Sequence, residues 1–151
     1  EGLHTDELIN YLLKRVDIIP SSLALAQAAN ESAWGTSRFA LEGRNFFGQW
    51  CYSNGCGIVP AMRNAEAIHE VRSFDSVFDS VKAYIMNLNT FSNYQNLRDI
   101  RQEARQGGRS IDGISLSKGL GTYSTRGDEY ISELQSMIYT NNLLELDRRG
   151  A

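Results

Sequence analysis

Residues 23–33 most narrowly constrain the fold, because they have a helical composition but few bulky side chains. They read Leu-Ala-Leu-Ala-Gln-Ala-Ala-Asn-Glu-Ser-Ala, with Ser21 and Ser22 as candidate N-caps before them. Alanine is the best helix former, and its small side chain lets neighbouring helices approach closely. Glycine suits the left-handed conformation just past a helix end. We therefore predict a central, buried helix that ends near Trp34-Gly35, with Gly35 at the C′ position.

Five further segments are predicted to be helical from their periodicity, caps and breakers. Residues 6–17 follow Thr5 and carry Ile9, Leu12, Leu13 and Val16 on one stripe. A second segment is capped by Asp75 or Ser76 and carries Val77, Val81, Tyr84, Ile85 and Leu88 on one stripe. The other three are residues 94–106, 110–118 and 128–142, the last with Ile131, Leu134 and Ile138 facing inward. Residues 36–44 favour a short helical turn, and residues 45–50 favour a loop. The helical period disappears between residues 57 and 74, where Val59, Ile68 and Val71 stand among turn formers. The predicted fold is mostly α, with a small β-hairpin or irregular lobe around residues 57–74.

Length and charge exclude several classes of protein. The chain of 151 residues predicts one domain, and no apolar run approaches the roughly 18 residues that span a bilayer. A net charge of −3 argues against a nucleic-acid partner. The basic cluster is a helical stripe interleaved with acids, which predicts a solvated helix face, the alternative being a patch that binds acidic groups of a polymer. Its members are Arg98, Arg101 and Arg105, followed by Arg109.

Cys51 and Cys56 enclose Tyr-Ser-Asn-Gly and are the two cysteines of the chain. In an exported protein this spacing predicts a local disulfide, and in a cytosolic protein two free thiols. If Asn54-Gly55 forms a two-residue type I′ turn, Cys51 faces Ile58 and lies diagonally from Cys56. A wider turn would bring the two cysteines together.

Glu31 is a carboxylate within an alanine-rich helix and close to Trp34. Burial raises the pKa of a carboxyl, whereas the helix dipole opposes ionisation by only about 0.3–1 kcal/mol. A protonated glutamate at the rim of a cleft can protonate the leaving oxygen of a glycoside. The alternative is an ion pair with Arg38 or Arg44 that ties the helix to a loop.

Four segments, in order along nearly the whole chain, resemble the bacterial N-acetylglucosaminidase family, glycoside hydrolase family 73. Residues 23–35, followed by Ser37, look like its signature, and residues 45–48 (Asn-Phe-Phe-Gly) resemble its Asn-Leu-Phe-Gly loop. Residues 71–76 are similar to its Phe-Arg-x-Tyr-x-Ser step. Tyr123-Ser124-Thr125, with Tyr130, resembles its Tyr-Ala-Thr-Asp-x-x-Tyr segment. Residues 50–60 look closest to the Bax-like branch of Gram-negative bacteria.

The resemblance implies a single lysozyme-like glucosaminidase domain over residues 1–151, with a groove for the glycan strand of peptidoglycan. Glu31 would be the general acid in cleavage of the β-1,4 bond after N-acetylglucosamine. No cofactor is implied, and His4 and His69 lie far from any recognisable metal-ligand spacing. We expect a monomer in the periplasm or cell envelope, with its export signal removed or outside these residues.

The resemblance also suggests residues that hold the substrate. Tyr123 would lie near the acetamido group of the sugar, the alternative being a core tyrosine bonded to a backbone carbonyl. Trp34, Phe47, Trp50 and Tyr130 are expected to contact the substrate, although either Phe46 or Phe47 is equally well explained as a core residue, because adjacent residues usually point different ways.

A second carboxylate is harder to assign, because the predicted hairpin strand Gly-Ile-Val-Pro-Ala-Met-Arg carries no acid. Glu66 and Glu70 are the nearest candidates, and Glu42 is another. Alternatively, the acetamido oxygen of the substrate attacks the anomeric carbon with help from Tyr123, as in substrate-assisted hydrolysis, or a distant acid holds the attacking water.

Two other functions remain open from the sequence. A lytic transglycosylase also uses one glutamate on a lysozyme-like fold but releases an anhydro sugar. A non-catalytic wall-binding module that has kept the fold would account for the absence of an acid in the hairpin strand.

Overall fold

The computed structural model describes residues 4–64 and 66–149, which form mainly α-helices and one small antiparallel sheet. The helices are α1 (Thr5–Arg15), α2 (Ser21–Glu31), α3 (Arg38–Gly43), α4 (Val77–Thr90), α5 (Gln95–Gln106), α6 (Gly113–Ser117), α7 (Asp128–Thr140) and α8 (Leu144–Arg149), with a 3-10 turn (Ser92–Tyr94) before α5. The strands are β1 (Trp50–Cys51), β2 (Gly57–Ile58) and β3 (Glu70–Arg72). The predicted mostly α fold with a small β element is confirmed. Within the described residues, the helices lack the length and apolar character needed to cross a membrane.

The chain divides into two compact units. One comprises residues 27–84, and the other comprises the residues up to 26 and from 85 onward, so that the division falls inside α2 and α4. The single domain predicted over residues 1–151 stays a prediction.

The unit of residues 27–84 contains the sheet, in which β3 is the central strand. β1 pairs with β3 on one side, with Trp50 opposite Val71 and Cys51 opposite Glu70. β2 pairs with β3 on the other side, with Ile58 opposite Val71. The β2–β3 pair is the hairpin predicted within residues 57–74, and α3 packs against both of its strands.

The other unit is helical and has an aliphatic core. α5 packs against α1 and α6, and α6 packs against α7. Large side chains with essentially no exposed surface fill its interior: Leu23, Leu88, Leu97, Leu116, Leu120, Tyr130, Leu134 and Ile138. The inward stripe predicted for the last long helix is therefore confirmed at two of its three positions, whereas Ile131 is half-buried.

The basic stripe of α5 is not solvated as predicted. Arg98 and Arg101 are 0% and 1% exposed. Arg98 donates to the carbonyl oxygens of Leu88 and Phe91 at the end of α4. Arg101 donates to Lys14 O in the last turn of α1 and to two carbonyl oxygens just after that helix, those of Asp17 and Ile18. The last carbonyls of a helix have no partner within the helix, and a guanidinium has five donors to offer them. The prediction of a solvated face is wrong for these two residues and correct for the exposed Arg105.

Asp147 of α8 caps the beginnings of two other helices. Its carboxylate accepts from Ser22 N at 2.9 Å, from Ser22 Oγ at 2.5 Å and from Gly113 N at 3.2 Å. These donors lie in the first turns of α2 and α6, where backbone N–H groups lack partners and a negative charge is favourable. Ser22 was a candidate N-cap, and the carboxylate that stabilises this helix start comes from the far end of the chain.

Candidate active site

Glu31 is the last residue of α2 and is half-buried. The backbone then turns sharply, because Ala33, Trp34 and Gly35 have φ angles of 51°, 58° and 78°. The N–H of Trp34 donates to Ala29 O at 2.8 Å, the bond that closes a Schellman motif with Ala33 at C′. The helix thus ends before Trp34-Gly35, and Ala33 holds the C′ position predicted for Gly35.

Ser32 holds this turn in place from inside the protein. It is buried, its hydroxyl donates to Ala28 O at 2.5 Å and accepts from Gly35 N at 2.7 Å, and its carbonyl oxygen accepts from Ser37 N at 3.0 Å. A left-handed conformation costs a non-glycine residue roughly 1–2 kcal/mol. Such strain persists where surrounding contacts fix the backbone, and it is concentrated at functional sites. The turn therefore marks the surroundings of Glu31 as a candidate site.

We expect Ala33→Gly to stabilise the protein by about 1 kcal/mol, because glycine adopts the left-handed conformation without the steric cost of a Cβ. The matched control is Ala83→Gly in the interior of α4, where the same change should destabilise by about 1 kcal/mol. Urea unfolding of both variants measures the difference. Destabilisation by Ala33→Gly equal to that of the control would contradict the assignment of strain to Ala33.

Asn45 organises the loop that follows α3. Its side chain is buried; Oδ1 accepts from Phe47 N at 3.2 Å and Gln49 N at 3.1 Å, and Nδ2 donates to Gln49 O and Arg72 O, both at 2.9 Å. The amide thus uses both its acceptor and its donors to fix the loop against β3.

Gly48, in the same loop, brings the backbone up to the Glu31 carboxylate. Its φ is 65°, and a Cβ at this position would lie 3.1 Å from Glu31 Oε2. Glycine is favoured here for both reasons, because a side chain would be strained at this φ and would crowd the carboxylate. The Glu31 carboxylate therefore lies beside the loop of residues 45–48, and the fixed turn follows Glu31 directly in the chain.

The two arginines proposed as ion-pair partners of Glu31 have backbone acceptors. Arg38 donates to Val59 O at 2.8 Å, and Arg44 donates to Phe74 O at 3.3 Å. Each arginine therefore ties α3 or its end to a neighbouring segment of residues 27–84.

The aromatic side chains predicted to bind substrate in this unit fall into two groups. Phe47 is buried and stacks on Tyr84, with ring centroids 3.9 Å apart. It supports the loop and has no ring face available to a sugar. Trp34 and Trp50 are 65% and 55% exposed, and Trp50 stacks on His69 with ring centroids 3.9 Å apart. Both tryptophans have exposed surface on which a sugar can stack.

Tyr123 lies in the helical unit, within a cluster of three tyrosines. Its ring is parallel to that of Tyr130 and tilted by 40° to that of Tyr94, with both centroid distances 5.8 Å. Tyr123 is half-buried, whereas Tyr130 is 0% exposed. Because it is buried, Tyr130 is a core residue that stacks on Tyr123 and orients it. This role takes the place of the contact with substrate that was expected for Tyr130.

Glu70 anchors the loop between β1 and β2. Its side chain is buried, and its two oxygens accept from Gly55 N at 3.0 Å and Gly57 N at 2.8 Å. These backbone hydrogen bonds hold the pKa of Glu70 below its ordinary value of 4.5. Glu66 and Glu42, the other candidates for a second carboxylate, are exposed.

The lowered pKa of Glu70 predicts acid sensitivity. A carboxyl with a depressed pKa contributes stability above the unfolded-state value, and this contribution is lost as the pH falls through the folded-state value. We therefore expect Glu70→Gln to lower the melting temperature at pH 6, with a gap from wild type that narrows steadily below pH 4.5. Thermal melts at pH 3, 4, 5 and 6 measure this gap. A gap that is constant with pH would contradict an ionised role for Glu70.

Cys51 and Cys56 form the predicted disulfide, with Cα atoms 6.2 Å apart. The geometry differs from the type I′ turn considered above, because β1 and β2 both pair with β3 and not with each other. A type I′ turn requires a positive φ at both central residues, but only Gly55, with a φ of 78°, has one, and Asn54 does not. The cysteine sulfurs and a Glu70 oxygen lie within 4.8 Å of one another, but the sulfurs are bonded to each other.

Residues 7–143 match the family described as Glucosaminidase, mannosyl-glycoprotein endo-beta-N-acetylglucosaminidase. The chain belongs to this glucosaminidase family. It is a glycoside hydrolase by membership, and the match includes all four segments on which the resemblance was predicted.

Two known proteins are similar to this glucosaminidase. Protein bax of Escherichia coli (strain K12) is 37% identical over 135 residues, which are 89% of this chain and 47% of that protein. The chain thus spans about half the length of this curated relative. The crystal structure of the catalytic domain of the autolysin Auto from Listeria monocytogenes aligns with a TM-score of 0.58 at 18% identity, covering 97% of this chain and 99% of that one. The predicted lysozyme-like fold is confirmed.

Sequence reasoning about the glucosaminidase site missed three supporting residues. Ser32, Asn45 and Gly48 fix the backbone on two sides of Glu31, yet none was assigned a role beyond its place in a motif. The sequence did carry a signal for Asn45 and Gly48, namely the Asn-x-Phe-Gly spacing, because asparagine and glycine together predict a loop with a left-handed residue.

Proposed function

We propose that this domain is a peptidoglycan hydrolase that cleaves the β-1,4 bond after N-acetylglucosamine, with Glu31 as the general acid. The observation that carries the proposal is the position of Glu31, which is half-buried, directly precedes a strained turn in the chain and has its carboxylate beside Gly48. A fixed position keeps the carboxyl oriented towards the leaving oxygen.

The class of bond follows from the family, whose description names an endo-β-N-acetylglucosaminidase. Peptidoglycan as the polymer rests on the resemblance to the bacterial N-acetylglucosaminidases. The disulfide supports export to an oxidising compartment, which for a Gram-negative protein of this kind is the periplasm or cell envelope. The glycan strand would then be the partner of a monomeric domain.

We propose substrate-assisted cleavage without a second protein carboxylate. Both oxygens of Glu70 are engaged by loop amides, which assigns this residue to the structure of the loop. The acetamido oxygen of the substrate would attack the anomeric carbon and close an oxazolinium ring as the glycosidic bond breaks, while Glu31 donates its proton to the leaving oxygen. A water would then open the ring at the anomeric carbon and return a proton to Glu31, which gives the hydrolysed product. Tyr123, held by Tyr94 and Tyr130, would orient the acetamido group.

Trp34 and Trp50 are proposed to bind sugar rings. Both are more than half exposed, and both belong to the unit that contains Glu31. An aromatic ring with an exposed face gives a large contact area at a low entropic cost, because its side chain has only two rotatable bonds.

Product analysis by mass spectrometry of digested sacculi tests this function. The proposal expects fragments with N-acetylglucosamine at the reducing end. Anhydro-muramic acid products would instead identify a lytic transglycosylase, and no product from a folded protein that still binds sacculi would identify a binding module. A mannosyl glycoprotein should be digested in parallel, because cleavage of that substrate alone would overturn peptidoglycan as the polymer.

A further inference from the structure

Helix α1 turns its apolar side away from its own unit. None of its residues is buried. Five aliphatic side chains on or just after it are between 46% and 73% exposed: Leu8, Ile9, Leu12, Leu13 and Val16. At 100° per residue these positions share one continuous arc of the helix. The polar side makes the internal contacts, because Lys14 forms an ion pair with Asp99 of α5, and Arg15 donates to Thr90 O at 2.7 Å.

A basic cavity of about 430 Å³ lies between the end of α1 and α5. Four cationic side chains but one carboxylate contribute to its lining: Lys14, Arg98, Arg101 and Arg105, with Asp17. Asp17 is shared, since it accepts from Arg105 at 2.7 Å and lies 3.8 Å from Arg101. The lining therefore carries an excess of positive charge.

Arg98 is the least compensated of these cations. It is fully buried, and among the described residues no carboxylate lies within 4 Å of its guanidinium. Within residues 4–64 and 66–149, no acceptor forms a hydrogen bond with its Nε. Guanidinium groups bind phosphate oxygens well, and an anion in the cavity would offset this buried charge.

The apolar side of α1 and the basic cavity are continuous, because Leu13 and Val16, 62% and 73% exposed, also line the cavity. We propose that they form one docking surface for the surface of an anionic phospholipid bilayer. The headgroup phosphate would enter the basic cavity, and the aliphatic side chains of α1 would enter the boundary between headgroups and acyl chains. A small soluble anion would use the cavity alone and would leave the exposed aliphatic residues unexplained.

This inference does not rest on the proposed function. Docking at a bilayer would hold the domain at a membrane face without a membrane-spanning helix. The substrate and the chemistry at Glu31 would be unchanged, because the residues of the docking surface belong to the unit that does not contain Glu31.

Vesicle flotation tests the proposal, with vesicles of phosphatidylcholine alone and with about one third phosphatidylglycerol. We expect wild type to bind the anionic vesicles at least about tenfold more strongly than the neutral ones. Leu13→Asp/Val16→Asp should lower binding to anionic vesicles by about tenfold or more, and Arg105→Gln should lower it by about fivefold.

Two matched controls keep the result specific. Phe78→Asp changes an equally exposed apolar residue elsewhere, and Arg126→Gln removes another arginine that is ion-paired to a carboxylate, Glu133. Both should bind vesicles as wild type does, and thermal melts exclude unfolding of the test variants.

Three results would overturn the proposal. The first is equal or absent binding of wild type to both kinds of vesicle. The second is loss of binding with Arg105→Gln but not with the aspartate pair, which would show adsorption of a phosphate without insertion. The third is a dimer in sedimentation velocity that Leu13→Asp/Val16→Asp dissociates, which would assign the surface to a second copy of the chain.

Discussion

Replacing Glu31 with glutamine is expected to lower the rate of peptidoglycan cleavage by about 10²–10⁴-fold, the usual contribution of a general acid. The amide has nearly the shape of a protonated carboxyl, so it fits beside Gly48 as the carboxyl does. It cannot transfer a proton to the leaving oxygen. The melting temperature should therefore stay close to that of wild type while kcat falls.

The measurement is the initial rate of release of reducing ends from purified sacculi, together with a thermal melt of each variant. Glu42→Gln is the matched control, because Glu42 is an exposed glutamate in the same unit, and it should keep the wild-type rate. Glu66→Gln should also keep that rate if the substrate supplies the nucleophile. A rate for Glu31→Gln within about threefold of wild type would exclude Glu31 as the general acid.

Gly57→Ala is expected to destabilise the protein by about 3 kcal/mol, at the upper end of the usual overpacking range. A Cβ at Gly57 would lie 2.0 Å from Val71 O and 2.6 Å from Val71 C, so β2 could not stay paired with β3 without a backbone shift. For a domain of this size the melting temperature should fall by about 6–12 °C.

Gly121→Ala is the control for that substitution. A Cβ there meets no atom within 4 Å, and Gly121 has no positive φ, so the change should be close to neutral. Circular dichroism melts of both variants measure the two changes in melting temperature. If Gly57→Ala melted with wild type, the close approach of β2 to β3 would be wrong.

The sequence was informative where one local pattern decides the structure. α2 and α4 follow from composition, caps and periodicity, and the disulfide was predicted from a short spacing on the condition that the chain is exported. Glu31 was singled out because a carboxylate is rare in an alanine-rich helix. The C′ residue of α2 was harder to predict, because Ala33, Trp34 and Gly35 are all left-handed and the bond from Trp34 N to Ala29 O places Ala33 at C′.

Other features depend on contacts between distant parts of the chain. Arginines are ordinarily exposed, and the burial of Arg98 and Arg101 follows from the way in which the ends of α4 and α1 meet α5. The periodicity of α1 predicted a helix but not which side would face inward. Phe47 and Tyr130 are aromatic like Trp34 and Trp50, and only the packing around them separates core rings from exposed ones.

The cap provided by Asp147 bears on where this domain can be truncated at its C-terminal end. A fragment cut to the family match would end at residue 143 and would remove the acceptor for Ser22 N, Ser22 Oγ and Gly113 N. The loss would fray the first turn of α2, the helix that ends at Glu31. A boundary that preserves the enzyme therefore lies beyond Asp147, although the sequence similarity that defines the family stops before it.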